Sequence, residues 1–184
     1  MNKASTKIFP AGCSFHSTAE FGRGYYKNHC GPTAITNLII TDRQRKLGKE
    51  LTSEEAREIF EEVASIGRHR LIYNRRYGTT DLLLWFYVKT AFRKLGVTTL
   101  RPVMRHTLSA KNARRILSRG SFMLVELFGH PKYGWHQMLI YGTDENGRFI
   151  AADGFSASPV LLNDKETGRG LFLEIASRQV SSSV

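Results

Sequence analysis

The 184-residue sequence predicts an α+β fold, with an N-terminal helical half packed against a C-terminal antiparallel sheet. Three observations lead to the α+β class. Apolar residues recur at three- and four-residue spacing as far as about Gly120. Beyond it the text breaks into short segments rich in β-branched and aromatic residues, separated by Gly, Asn, Asp or Pro. No linker divides the two textures. One domain, 1–184, is therefore expected, its helical half at about 30–120, its sheet half at about 121–176, and a cleft between them.

The elements follow in order. Pro32 suits the first turn of a helix, where its missing N–H costs nothing, so "CGPTAITNLII" starts a helix at about Cys30 that runs to about Lys46. Thr52 and Glu55 have capping-box spacing, and Ala56, Ile59, Phe60 and Val63 form the apolar stripe of a second helix. A third helix is expected in "TTDLLLWFYVKTAFRKLG", with Thr79 or Thr80 as cap and Gly96 as terminator. Its run from Leu82 to Val88 is apolar nearly all round and is expected to be largely buried. A short fourth helix extends from Ser109 to Gly120. "SFMLVELF", "WHQMLIYG", "RFIAADG" and "GLFLEIA" then read as strands, and "DENG" joins the second and third as a hairpin.

Composition narrows the function classes. Hydrophobic residues make up 41% and charged residues 23%, ordinary for a globular protein. No apolar run has the length of a membrane span, and the N-terminus lacks a signal-peptide core, so the chain as written is expected to be cytoplasmic. Cys13 and Cys30 are read as reduced thiols. The net charge of +11, from 27 Lys plus Arg against 16 Asp plus Glu, would suit an acidic partner. The basic residues are scattered, however, and no aromatic stripe is interleaved with them, which argues against nucleic acid.

Cys30 is the residue that carries chemistry. A thiol at a helix N-terminus meets unpaired backbone N–H groups and the positive end of the dipole, an environment that favours thiolate. A base is available in "YGWHQMLIYG", where His136 opens an apolar strand. Asp153 ends the next strand, in "IAADGF". Antiparallel neighbours bring the start of one strand beside the end of the other, so His136 and Asp153 fall at one edge of the sheet. Thiol, imidazole and carboxylate in that order form a nucleophile, a base and an orienting acid. Each has a plainer alternative: a small buried hydrophobe for Cys30, a core histidine for His136, and a turn residue before Gly154 for Asp153.

"CGPTAITNLI" together with "YGWHQMLIYGTDENGRFIAADGF" resembles the papain-like cysteine peptidases, and within them the bacterial branch of double-glycine leader peptidases of bacteriocin exporters. The resemblance spans Cys30 to about Ile175. It implies a thiol protease that acts on a peptide or protein substrate without a cofactor or metal, with Cys30 as nucleophile, His136 as general base and acid, and Asp153 as orienting carboxylate. That family places an oxyanion-binding glutamine six residues before the cysteine, where this chain has Gly24. Asn28 is the nearest amide that could serve as a second oxyanion donor, with Tyr25 or Tyr26 assisting, or it forms the turn before the helix.

Three competing readings use the same residues. Cys13 and His16 have metal-ligand spacing, and with His29 and Cys30 they sketch a zinc site, although adjacent His29 and Cys30 rarely share one ion. His16, His29, His69, His106 and His130 otherwise read as loop or surface histidines. An acyl-enzyme on Cys30 could pass its acyl group to an amine rather than to water. A basic binding module without turnover is the third.

Overall fold

The computed structural model of the chain describes Ser17, Phe21 and residues 28–107, 109–156, 158–167 and 170–177. Helix α1, Cys30–Leu47, opens with the bond from the Thr33 N–H to the His29 carbonyl and ends at Gly48, whose φ of 66° closes the C-terminus. It is buried almost all round through its first three turns, so it is the central helix rather than a surface one. Polar side chains inside it are tied to the helix or its neighbours. Asp42 accepts from the Thr99 N–H at 2.8 Å, the Thr99 hydroxyl at 2.6 Å and the Lys46 ammonium at 2.6 Å.

Helix α2, Ser53–His69, carries the expected capping box in full: Thr52 Oγ1 accepts from the Glu55 N–H, and the Glu55 carboxylate accepts from the Thr52 N–H. A two-residue hairpin follows, β1 at Tyr73–Asn74 and β2 at Gly78–Thr79. The next segment departs from expectation. Asp81–Leu83 is a single 3-10 turn, and α3 proper is Leu84–Lys94. Leu84, Tyr87, Val88, Ala91 and Phe92 keep helical spacing and face the core, whereas Leu82 is 92% exposed and Phe86 is also exposed. The apolar run is therefore only half buried, because the late helix start turns its first leucines away from the core.

Eight residues inside the expected helical half form a strand instead. β3, Leu100–Thr107, pairs antiparallel with β8, Leu171–Ser177. Its Pro102 lacks an N–H, and β3 lies at the sheet's edge, where a missing donor is tolerated. Arginines alternating with apolar residues hid it in the sequence. After α4, Ala110–Leu117, come β4 at Phe122–His130, β5 at Gly134–Thr143, β6 at Phe149–Ala152 and β7 at Val160–Leu162, then the single turn α5 at Asp164–Thr167. The six strands form one antiparallel sheet in the order β3-β8-β4-β5-β6-β7. The fold is α+β, and the sheet recruits β3 from before residue 121.

Strand alternation distributes two cores. Leu139 and Tyr141 of β5, with Phe122 and Leu124 of β4, join Ile35, Leu38 and Ile39 of α1 in the larger one. Met138 and Ile140, with Met123 and Val125, join Ala113, Ile116 and Leu117 of α4 on the opposite face. Odd-numbered positions of β5 therefore stand on the face that α1 covers.

Candidate active site

Cys30 is the first residue of α1, and its half-buried thiol opens on a cavity of about 150 Å³. His136 and Gln137 from β5, Glu126 from β4, Thr79 from β2 and Asp81 from the 3-10 turn before α3 line the same cavity. Tyr77 and Trp135 stand largely exposed at its rim. The cavity therefore lies where the N-terminus of the central helix meets the open end of the sheet.

The environment of Cys30 corrects the expectation of a thiolate. Desolvation pushes the thiol above its ordinary value, and the nearby Glu126 adds to the rise. The backbone N–H groups of Gln137, Gly31 and Cys30 itself work in the other direction and do not cancel it. The helix terminus is present as predicted, but burial beside a carboxyl group outweighs it.

His136 is 5% exposed, and its ring stacks on Phe155 at 4.7 Å and on Tyr133 at 5.4 Å between centroids. Its Nε2 lies 2.6 Å from the backbone carbonyl oxygen of Asp153. A carbonyl only accepts, so Nε2 carries the proton and Nδ1 is the free base in the neutral ring. Desolvation lowers the ring's pKa from its ordinary value and His130 lowers it further, while the Asp153 carbonyl and charge oppose them. Cys30 and His136 thus face one cavity as a neutral thiol and a neutral imidazole. No hydrogen bond joins them, as is common in unliganded sites of acyl transfer.

The hydrogen bonds of the Asp153 carboxylate go elsewhere than to the imidazole. Its Oδ1 accepts from the backbone N–H groups of Phe155 at 2.9 Å and Ser156 at 3.3 Å, and its Oδ2 from the Tyr133 hydroxyl at 3.1 Å. These bonds pin the turn after β6, so Asp153 orients His136 through its main chain. Asn28 reaches the cavity, but its amide donates to the Arg76 carbonyl at 2.6 Å, and its φ of 61° is that of a turn. Its side chain ties the entry to α1 to the β1–β2 hairpin. Cys13, His16, Gly24, Tyr25 and Tyr26 lie outside the described residues. His29 and His130 are buried, contrary to the expectation of surface histidines. His29 packs edge-on against Phe60, and His130 Nδ1 accepts from the Lys132 N–H at 3.1 Å.

The residue that sequence reasoning missed is Gln137. By alternation it, and not His136, stands on the face covered by α1, directly opposite Glu126 on β4. Its Nε2 donates to Glu126 Oε2 at 3.2 Å. Its Oε1 and the Thr79 Oγ1 would each lie 2.3 Å from a Cβ built on Gly31, so only glycine fits beside the cysteine. Glu126 is 4% exposed, and its pKa is raised to about 9 by desolvation and by its hydrogen bond to the Asp81 carboxyl group. The available signal was a lone Glu and a lone Gln interrupting two apolar strands, where a polar side chain needs a reason to be buried.

No family model matches the chain, and no curated protein matches it.

Proposed function

We propose that the chain is a papain-like thiol hydrolase that cleaves a peptide bond through an acyl-enzyme on Cys30. One observation carries this reading: a helix-first cysteine and a histidine of fixed tautomer line one cavity. Because thiol and imidazole both rest neutral, His136 Nδ1 acts as a general base as Cys30 Sγ attacks the substrate carbonyl carbon. The imidazolium then returns that proton to the leaving amine, and the acyl group stays on sulfur as a thioester. Water, deprotonated by the same nitrogen, releases the acid. The Cys30 and Gly31 N–H groups have no partner within the helix and are the donors for the oxyanion. Asn28 is not needed for that role in this scheme. Asp153 keeps Nε2 protonated through its carbonyl and favours the imidazolium by its charge.

The test is turnover of a mixed peptide library followed by mass spectrometry. Wild type yields new termini, and Cys30→Ala and His136→Ala yield none. If wild type and Cys30→Ala bind a partner equally and neither cleaves anything, the chain is a binding module.

A further inference from the structure

The cavity beside Cys30 is short of donors. Glu126 and Asp81 place two hydrogen-bonded carboxyl groups in its wall. Gln137, only 4% exposed, spends its amide N–H on Glu126 and leaves its amide oxygen without a partner among the described residues. The neighbouring Thr79 hydroxyl is likewise without a partner among the described residues. Among the described residues no Lys or Arg lines the cavity, although the chain carries a net charge of +11. A buried acceptor is ordinarily satisfied, and an unmet one calls for a donor from elsewhere. A neutral amide could satisfy the Gln137 oxygen alone. The Asp81 carboxylate, to which the protonated Glu126 is hydrogen-bonded, selects a cation.

The rim points the same way. Arg76 already lies over the Tyr77 ring at 5.3 Å, so a cation is accommodated at the cavity's edge, and Trp135 offers a second exposed ring. The volume of about 150 Å³ equals roughly five water molecules, enough for a charged head and a few methylenes.

We infer that this cavity binds an alkylammonium or guanidinium group of the substrate, so that a basic side chain lies next to the bond Cys30 attacks. Asp81, Glu126 and the Gln137 amide oxygen are its acceptors. The inference rests on the proposed hydrolase only for the words "next to the bond"; the cation site stands without turnover. It also gives the acidic wall a purpose. A cation seated beside the Cys30 thiol offsets the desolvation that keeps it protonated in the empty site, so the nucleophile is favoured when the substrate is bound.

The experiment is isothermal titration of the full chain with 1,5-diaminopentane and, as neutral isostere, pentane-1,5-diol, at fixed ionic strength and pH 7.5. The chain's overall charge repels cations, so saturable binding reports a local site. The diamine should bind wild type and Cys30→Ala alike, with a millimolar Kd, and the diol should not bind. Asp81→Asn should weaken the diamine at least tenfold, and Asp81→Ser serves as the second variant should Asp81→Asn fail to fold. Equal binding of diol and diamine, undiminished binding by the folded variant, or no saturation by 20 mM diamine would each overturn the inference. Diamine binding without peptide cleavage by wild type refutes the hydrolase and leaves the site. Cleavage that is indifferent to basic residues, with no diamine binding, does the reverse.

Discussion

Replacing Asp153 by Asn separates two ways a triad acid can act. In this chain the imidazole is held by the Asp153 backbone carbonyl, while the carboxylate clamps the turn through Phe155, Ser156 and Tyr133. Asparagine keeps an oxygen for the two N–H groups, and its amide can donate to the Tyr133 hydroxyl oxygen, so the carbonyl stays in place. Only the charge is lost. A carboxylate and an imidazolium roughly 7 Å apart interact by about 2 kcal/mol at an effective dielectric of 20. Losing that from the imidazolium-like transition state costs about 30-fold in kcat/KM. A carboxylate that itself fixed the tautomer would cost about 10⁴-fold on the same substitution. Asp153→Ala should be worse than Asn, because two backbone N–H groups are left unpaired at about 1–3 kcal/mol each and the carbonyl is released. The assay is kcat/KM on a chromogenic peptide, with the ¹⁵N shifts of the His136 ring recording the tautomer. A folded Asp153→Asn variant with a 10⁴-fold loss, or with the proton moved to Nδ1, would refute the reasoning.

Other perturbations follow from the same geometry. Alkylation of Cys30 by iodoacetamide should accelerate only as pH rises above the ordinary thiol range near 8.5, since burial holds the proton on; a plateau below pH 8 would contradict this. The acid limb of the pH–rate profile should fall below 6.5, because His136 works as the neutral base and its pKa is lowered. Glu126 is raised to about 9, so the folded state keeps a proton that the unfolded chain loses above about 4.5. Stability then declines as pH rises between those values, by up to about 1.4 kcal/mol per unit. Glu126→Gln should flatten the decline, as denaturant titrations at pH 6 and 8.5 would record. Gly31→Ala would gain about 1 kcal/mol in an ordinary helix, yet here its Cβ strikes Gln137 and Thr79, so a lowered Tm and a displaced thiol are expected.

Much of this was legible in the chain because it is local. The Thr52–Glu55 box, the Cys30 helix start with Pro32, and the four apolar strands depend on near neighbours, and each formed where the pattern put it. The juxtaposition of His136 with Asp153 was readable from one hairpin, although which atom of Asp153 meets the ring was not. That choice was made by the turn after β6, whose N–H groups claim the carboxylate first. Strand β3 escaped notice because its partner β8 lies some seventy residues on, and an edge strand with Pro102 and arginines carries little pattern of its own. The acidity of Cys30 was misjudged for a similar reason: the helix start is local, whereas the burial that raises the thiol's pKa is completed by strands far along the chain, with Glu126 adding to it. Gln137 was overlooked because its role exists only once α1 lies across β5.

Thioester formation on Cys30 is read most directly by intact mass spectrometry during turnover of an activated peptide ester. The expected result is an adduct with the mass of the acyl group, located on the peptide that contains Cys30, absent in Cys30→Ala and long-lived in His136→Ala, where deacylation lacks its base. No acyl adduct on wild type under any substrate excess, or an adduct on another residue that persists in Cys30→Ala, would contradict it.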